Sequence, residues 1–313
     1  MISNLRIKVL NILSLTFLFV IQSHAAIKSL KMDTGRYIAY EANLTQTNKP
    51  TFVFLPGIYR GWTADDEFIK LLNKENINFV ALHYSLQPES ILKITKNEIA
   101  YVTGHNYTSI DLAQEVEFVL KKLRITKPII VSLSYSSMIS SILSQTLKYN
   151  PIIETAPMIR FDESNPSGGQ VTEFWESFFN LNPFTGPIIT QWYLKQTYQQ
   201  YWSDTIDEMI KANPKDPKNK IRDLMIQSYT AMSMAAHGFD FTQQNFANGV
   251  QRLFILGHNE DATRYQLQQA AITQYERVSG FHKSTAVIPS AGHIVPADAP
   301  QDYVNILKTL IKK

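Results

Sequence analysis

The chain has 313 residues, 44% of them hydrophobic and 18% charged, with a formal net charge of +3. That size supports one large α/β domain with room for an inserted lobe. Lys and Arg are spread along the chain rather than gathered in a basic stripe interleaved with aromatics, so a nucleic-acid-binding surface is excluded. Cysteine is absent, which removes disulfides, thiolate catalysis and a cysteine-borne lipid from consideration.

Arg6 and Lys8 make a positive amino terminus, residues 9–21 are mainly apolar, and Gln22, Ser23, His24 and Ala25 close in a short polar stretch. This is the pattern of a secretory signal peptide over residues 1–25, and it predicts an exported protein, periplasmic or secreted. An uncleaved anchor would need roughly 20 apolar residues. The run here is shorter and is interrupted by Asn11 and Ser14, so no stable membrane span is expected after cleavage. Two glycosylation sequons, at Asn43 and Asn106, matter only in a host that glycosylates them.

Strand-like and helix-like segments then alternate. Residues 36–42 read as a strand and 51–55 as a short buried one. Residues 65–73 have helical spacing, with Phe68, Leu71 and Leu72 on one face. A buried strand follows at 77–83, an amphipathic helix at 109–123, a short apolar strand at 128–131, a helix at 135–147 and a strand at 152–159. Such alternation predicts a mostly parallel sheet flanked by helices on both faces.

From 163 to 246 the alternation stops. This stretch reads as helical and aromatic, with Phe174, Trp175, Phe178, Phe179, Trp192 and Trp202 among its residues. Exposed aromatics are costly unless they pack on a core or face a ligand. The run 211–222, with Pro214 and Pro217, reads as a solvated link. The sheet pattern resumes with a strand at 252–256, a helix at 265–278, a strand at 285–289 and a last helix at 301–310. The expected organisation is therefore a core in two parts, 26–162 and 247–313, interrupted by a helical lobe at 163–246.

Four features carry chemistry. Ser134 lies in Ser132-Leu133-Ser134-Tyr135-Ser136, between an apolar strand and a helix. A serine at so sharp a turn has its oxygen pushed out at the carboxyl end of the sheet, and the residues two before and two after it must be small. Glycine is usual at both flanks; here both are serine. The competing reading is a plain serine-capped helix start. His293 follows Gly292 on the loop after the last strand, where its ring can reach the central elbow. The strand 253–257 ends in Gly257 and leads to His258-Asn259-Glu260-Asp261, so a carboxylate there can hold the second ring nitrogen of His293. Finally, Pro56-Gly57-Ile58 follows the second predicted strand. A turn there can aim a backbone N–H, that of Ile58, at a developing oxyanion, with Tyr135 N–H as the second donor. Its competing reading is an ordinary strand-to-helix turn.

Together, and in the chain order serine, acid, histidine, these features resemble the α/β-hydrolase family in its lid-bearing branch of serine esterases, lipases and peptidase-like members. The resemblance spans the whole mature chain. It implies Ser134 as nucleophile, His293 as general base and then acid, Ile58 and Tyr135 as the oxyanion hole, and 163–246 as the lid. In the family pattern the acid stands three residues after the strand-ending glycine, which points to Glu260. Asp261 beside it and Asp162 after the preceding core strand are alternatives. No cofactor is implied.

The function expected is that of an exported serine hydrolase acting on a small, mainly apolar ester or related acyl compound. The alternatives are an aminopeptidase-like peptidase and a catalytically silent binding protein with the same fold. The serine at the elbow argues against chemistries that use a carboxylate there. His83, His105 and His237 are expected to be structural, with His83 and His105 near the mouth of the site. No metal-binding spacing occurs.

Overall fold

A computed structural model describes residues 27–45, 49–58, 61–91, 107–146, 149, 151–161, 228, 231–232, 235–236, 238–282 and 284–311. The proposed signal peptide, Asp162, His105, His237, Asn106 and most of 163–246 lie outside the described residues.

Eight strands form one sheet in the order β1-β2-β4-β3-β5-β6-β7-β8. They are β1 Lys28–Lys31, β2 Tyr37–Asn43, β3 Thr51–Leu55, β4 Phe79–His83, β5 Pro128–Leu133, β6 Ile152–Thr155, β7 Arg252–Gly257 and β8 Thr285–Ile288. The six strands from β4 to β8 are mutually parallel. β2 runs antiparallel to β4, and β1 antiparallel to β2. This is the mostly parallel, helix-flanked sheet that the alternation predicted, with one strand more. β1 is half-exposed at the sheet edge, and its Lys28 and Lys31 leave no apolar run to announce it.

The five helices that matter are α1 Glu67–Lys74, α2 Ser109–Lys122, α3 Ser137–Leu143, α4 Ala262–Ser279 and α5 Pro300–Ile311. Because successive strand side chains point to opposite faces, one apolar run feeds two cores. Phe52 and Phe54 of β3 join Ile129 and Val131 of β5 beneath α1 and α5, where Phe68 meets Phe54 edge-on at 4.9 Å and Tyr303 at 5.4 Å. Val53, Leu55 and Ile130 face the other way, against Leu112 and Val116 of α2 and Met138 and Ile139 of α3. A third cluster packs α4 through Tyr275 on Phe254, Phe241 and Phe246.

Thr108 and Asp111 close a capping box at the start of α2, and Gly280 takes a left-handed φ of 74° to end α4. Some of the described residues of 163–246 pack into these cores. Ala231, Met232 and Ala236 are buried with Met138, and Phe241 and Phe246 with Tyr275.

Polar residues are also buried on the α3 face. Glu154 of β6 is fully buried, and its carboxylate accepts from Ser132, from Ser140 at 2.8 and 2.9 Å, and from the guanidinium of Arg252 on β7. Arg252 also donates to Ser144 Oγ at 2.7 Å and lies over the rings of Phe241 and Phe246. Removing one partner of such a pair strands a buried charge. Arg252→Met is therefore expected to cost about 3–5 kcal/mol in urea unfolding, much of it recovered in Arg252→Met/Glu154→Met. A single-variant loss below about 1 kcal/mol would show that the pair is not a necessary partnership.

Candidate active site

The central strand β5 ends at Leu133, and the chain turns through the 3-10 turn Ser134–Ser136 straight into α3. Ser134 itself has φ = +50°, a left-handed conformation that costs a non-glycine residue roughly 1–2 kcal/mol. The surrounding bonds hold it there. Ser134 O accepts from Met158 N–H at 3.1 Å and from the Ser137 hydroxyl at 2.7 Å.

Serines stand where the elbow usually has glycines, and both hydroxyls are used. Ser132 donates to Glu154 and is fully buried. Ser136, equally buried, donates to Pro56 O and hydrogen-bonds Tyr84 Oη at 2.7 Å. The tight turn thus tolerates a small polar side chain on each flank, one tied to a neighbouring strand and the other to the loop after β3.

The loop after β7 meets the loop after β8 above this elbow. A Cβ on Gly257 would come within 2.1 Å of Gly292 O and 2.5 Å of Ala291 O, so only glycine permits the approach. His258 N–H donates to Ile288 O at 3.0 Å and Asn259 N–H to Ala291 O at 2.8 Å, while Asp298 accepts from Gly292 N–H at 2.8 Å. These bonds bring residues 260 and 293 together.

Glu260 and Asp261, adjacent in sequence, point to different tasks. The Glu260 side chain is 2% exposed, and one of its oxygens hydrogen-bonds His293 Nδ1. Its other oxygen accepts from Asp261 N–H at 2.9 Å and lies 3.8 Å from Arg264 Nη1. Burial alone would raise the Glu260 pKa. The His293 contact, the backbone donor and Arg264 together outweigh it and hold the carboxyl below its usual range. The Asp261 carboxylate instead caps α4, accepting from Thr263 N–H at 3.1 Å and Arg264 N–H at 3.2 Å.

His293 Nε2 lies 2.8 Å from Ser134 Oγ. Hydroxyl, imidazole and carboxylate therefore form one continuous hydrogen-bonded chain from three different loops at the carboxyl end of the sheet. With Nδ1–H donated to the carboxylate, Nε2 is left as an acceptor for the serine proton. This arrangement can deprotonate a hydroxyl and stabilise the imidazolium that results.

The Pro56-Gly57-Ile58 loop lies beside the elbow. A Cβ on Gly57 would sit 3.9 Å from Leu133, the residue before Ser134. The Tyr135 side chain is buried and donates from its hydroxyl to Met232 O at 2.8 Å. This ties the turn to the described end of the 163–246 segment.

His83, expected to be structural and near the mouth, is completely buried. It contacts Trp62 O through Nε2 at 3.0 Å and has Nδ1 2.9 Å from the Glu89 carboxylate. Four residues without a motif around them also border the site: Tyr84, Gln87, Glu115 and Glu154. Nothing in the local sequence marks them, because the contacts that tie them to the loop after β3, the elbow, α3 and β7 come from 14 to 98 positions away. Among the described residues no cluster of three or more His, Asp or Glu could hold a metal ion, and no helix is long and apolar enough to cross a membrane.

No family model and no curated protein matches the sequence. Solved structures match over about nine-tenths of the chain. MGS-M2, an α/β-hydrolase enzyme from a Medee basin deep-sea metagenome library, superposes with a TM-score of 0.62 at 13% identity, over 91% of this chain and 98% of that one. A structure from a study of carboxylesterases of the thaumarchaeon Nitrososphaera gargenis gives 0.58 at 15% identity, over 91% and 98%. The esterase EaEST of Exiguobacterium antarcticum gives 0.58 at 13%, over 91% and 99%. The chain has the α/β-hydrolase fold.

Proposed function

We propose that this chain uses its α/β-hydrolase fold as an exported serine hydrolase, cleaving a carboxylic ester or a related acyl bond through an acyl-enzyme on Ser134. The observation that carries the reading is the hydrogen-bonded chain from Ser134 Oγ through His293 to buried Glu260, set on an elbow with φ = +50°.

Each step follows from that geometry. His293 Nε2 takes the Ser134 proton as Oγ attacks the substrate carbonyl, and Glu260 stabilises the charged imidazole. The carbonyl oxygen becomes an oxyanion and takes hydrogen bonds from the N–H groups of Ile58 and Tyr135. Each such donor is worth about 3–4 kcal/mol of transition-state stabilisation. The tetrahedral intermediate collapses, His293 passes its proton to the leaving alcohol, and an acyl-Ser134 ester remains. Water, deprotonated by the same imidazole, then attacks that ester and releases the acid.

The esterases among the structural neighbours favour an ester over other acyl compounds. Aromatic residues predicted over 163–246 favour an apolar acyl or alcohol group. The absence of the usual elbow glycines is the one feature that favours a silent binding protein. The enzyme reading is favoured over it because Ser132 and Ser136 have named partners and leave Ser134 in contact with His293.

The test is a panel of nitrophenyl esters of rising acyl length beside aminoacyl amides, using protein recovered after export. Ester turnover with a preference for apolar chains, from a protein beginning at Ala26, is expected. Amide cleavage without ester turnover would replace the ester reading by the peptidase one. An amino terminus still at Met1 would remove the reading of residues 1–25 as a cleaved signal peptide, and protein found only inside the cell would remove the export reading.

A further inference from the structure

The geometry points to Gln87 as the positioning residue of the oxyanion hole, holding the Gly57–Ile58 peptide so that the Ile58 N–H is presented to the reacting carbonyl. The inference rests on the reading of Ser134 as nucleophile.

The loop after β3 is a weak point in any such site. Gly57 has no Cβ, so the Gly57–Ile58 peptide plane rotates at little steric cost. In a trans peptide the C=O and the following N–H point in opposite directions. Whatever holds Gly57 O therefore also decides where the Ile58 N–H points. That holder is Gln87, whose Nε2 donates to Gly57 O at 2.7 Å.

The Gln87 amide can sit only one way round. Its Oε1 accepts from Tyr84 N–H at 3.0 Å, which leaves Nε2, a pure donor, for the Gly57 carbonyl. Gln87 is fully buried, so water cannot readily replace it. The turn that carries it is fixed in its own right. Gln87 N–H donates to Tyr84 O at 2.8 Å. Ser85 N–H and its hydroxyl both donate to Glu115 of α2, which also accepts from Tyr107 and Arg36.

The preceding carbonyl is held as well. Pro56 O accepts from Ser136, two residues beyond the nucleophile, and Ser136 in turn contacts Tyr84 Oη at 2.7 Å. Two consecutive carbonyls of the loop are thus drawn to buried side chains. One comes from the elbow itself and the other from the turn after β4.

Two substitutions separate this role from simple packing. Gln87→Glu keeps the volume and the acceptor for Tyr84 N–H but, when ionised, offers Gly57 O no donor. Its carboxylate instead favours the rotated peptide, with the Ile58 N–H turned inward. Gln87→Met removes both bonds. With a nitrophenyl ester near pH 8, kcat is expected to fall about tenfold to a hundredfold in both variants, up to the loss of one oxyanion donor. KM should stay within about twofold, since ground-state binding does not use the hole.

A Gln87→Glu variant with wild-type kcat would overturn the proposal, whatever Gln87→Met does, because then only the Tyr84 bond or bulk matters. A raised KM at unchanged kcat would overturn it too. Should neither variant fold, the wild-type protein decides. Phosphonylation of Ser134 by a fluorophosphonate is expected to move the Ile58 amide proton downfield in its NMR spectrum, and an unmoved resonance overturns the proposal. Wild-type protein that is neither labelled nor active would remove the nucleophile reading, and this inference with it. Active wild type with unaffected Gln87 variants would remove this inference alone.

Discussion

Replacing Ser134 by Ala is expected to abolish fluorophosphonate labelling and to lower kcat for nitrophenyl esters by about 10⁶-fold, with KM little changed. Among the described residues no other hydroxyl contacts the imidazole Nε2, so none of them replaces the lost nucleophile. Whatever catalysis remains comes from the oxyanion donors and substrate positioning. The fold should survive. The backbone at 134 stays at φ = +50° for either side chain, and the hydroxyl removed is only partly buried.

Ser134→Gly sharpens the same prediction. It should be equally inactive, yet more stable than Ser134→Ala by about 1 kcal/mol, because glycine adopts positive φ without steric cost. Thermal unfolding of the two variants measures the difference. Labelling that persists in both would place the reactive serine elsewhere and undo the functional reading.

Glu260→Gln is expected to lower kcat by about 10³–10⁴-fold, against less than about fivefold for Asp261→Asn. The reason lies in how the two oxygens of Glu260 are used. One accepts from Asp261 N–H and the other faces His293 Nδ1. A glutamine must keep its oxygen on the Asp261 N–H and so turns its NH₂ toward Nδ1. The imidazole then carries its proton on Nε2, where it cannot accept from Ser134. Asp261→Asn leaves a side chain that still caps α4, at a cost below about 1 kcal/mol. The reverse order of the two losses would move the acid to Asp261.

The same substitution has a signature in stability. The Glu260 carboxyl is held below its usual range. Its ionised form therefore stabilises the folded protein at pH above about 4.3, the unfolded value. That contribution is lost as pH falls through the lower folded value. Wild type should exceed Glu260→Gln in urea midpoint at pH 7, and the gap should close in acid. A gap constant down to pH 3 would mean that the carboxylate gains nothing from its partners.

Much of the scaffold was legible because its signals are local. Parallel strands buried on both faces read as short apolar runs, and those at 51–55, 128–131 and 252–256 appear as β3, β5 and β7, the last two extended to Leu133 and Gly257. Helix α4 begins at Ala262, three residues before the predicted start. Its first turn is held by the Asp261 cap rather than by apolar periodicity. The edge strand β1 went unread for a related reason: an exposed edge requires no hydrophobic pattern.

At the site, chain order and strand ends were enough to nominate Ser134, His293 and the pair Glu260 and Asp261. The spacing that the resemblance implies pointed to Glu260 but left Asp261 beside it, and Asp162 after the preceding strand, as alternatives. The choice depends on which side chain turns inward where Gly257 packs against Gly292, and that is a contact between two loops. The serines flanking the elbow likewise looked like departures from a pattern until their partners, Glu154 and Pro56, were in place.

What the amino-acid order determined alone is the succession of buried strands and helices, and the residue types left at the strand ends, because periodicity and turn chemistry act over a few positions. Only the tertiary structure decided which carboxylate meets the imidazole, which glutamine faces the Gly57 carbonyl and where the buried charges find partners. Those bonds join residues far apart in the chain, and their energy depends on distance and burial, which no stretch of sequence contains.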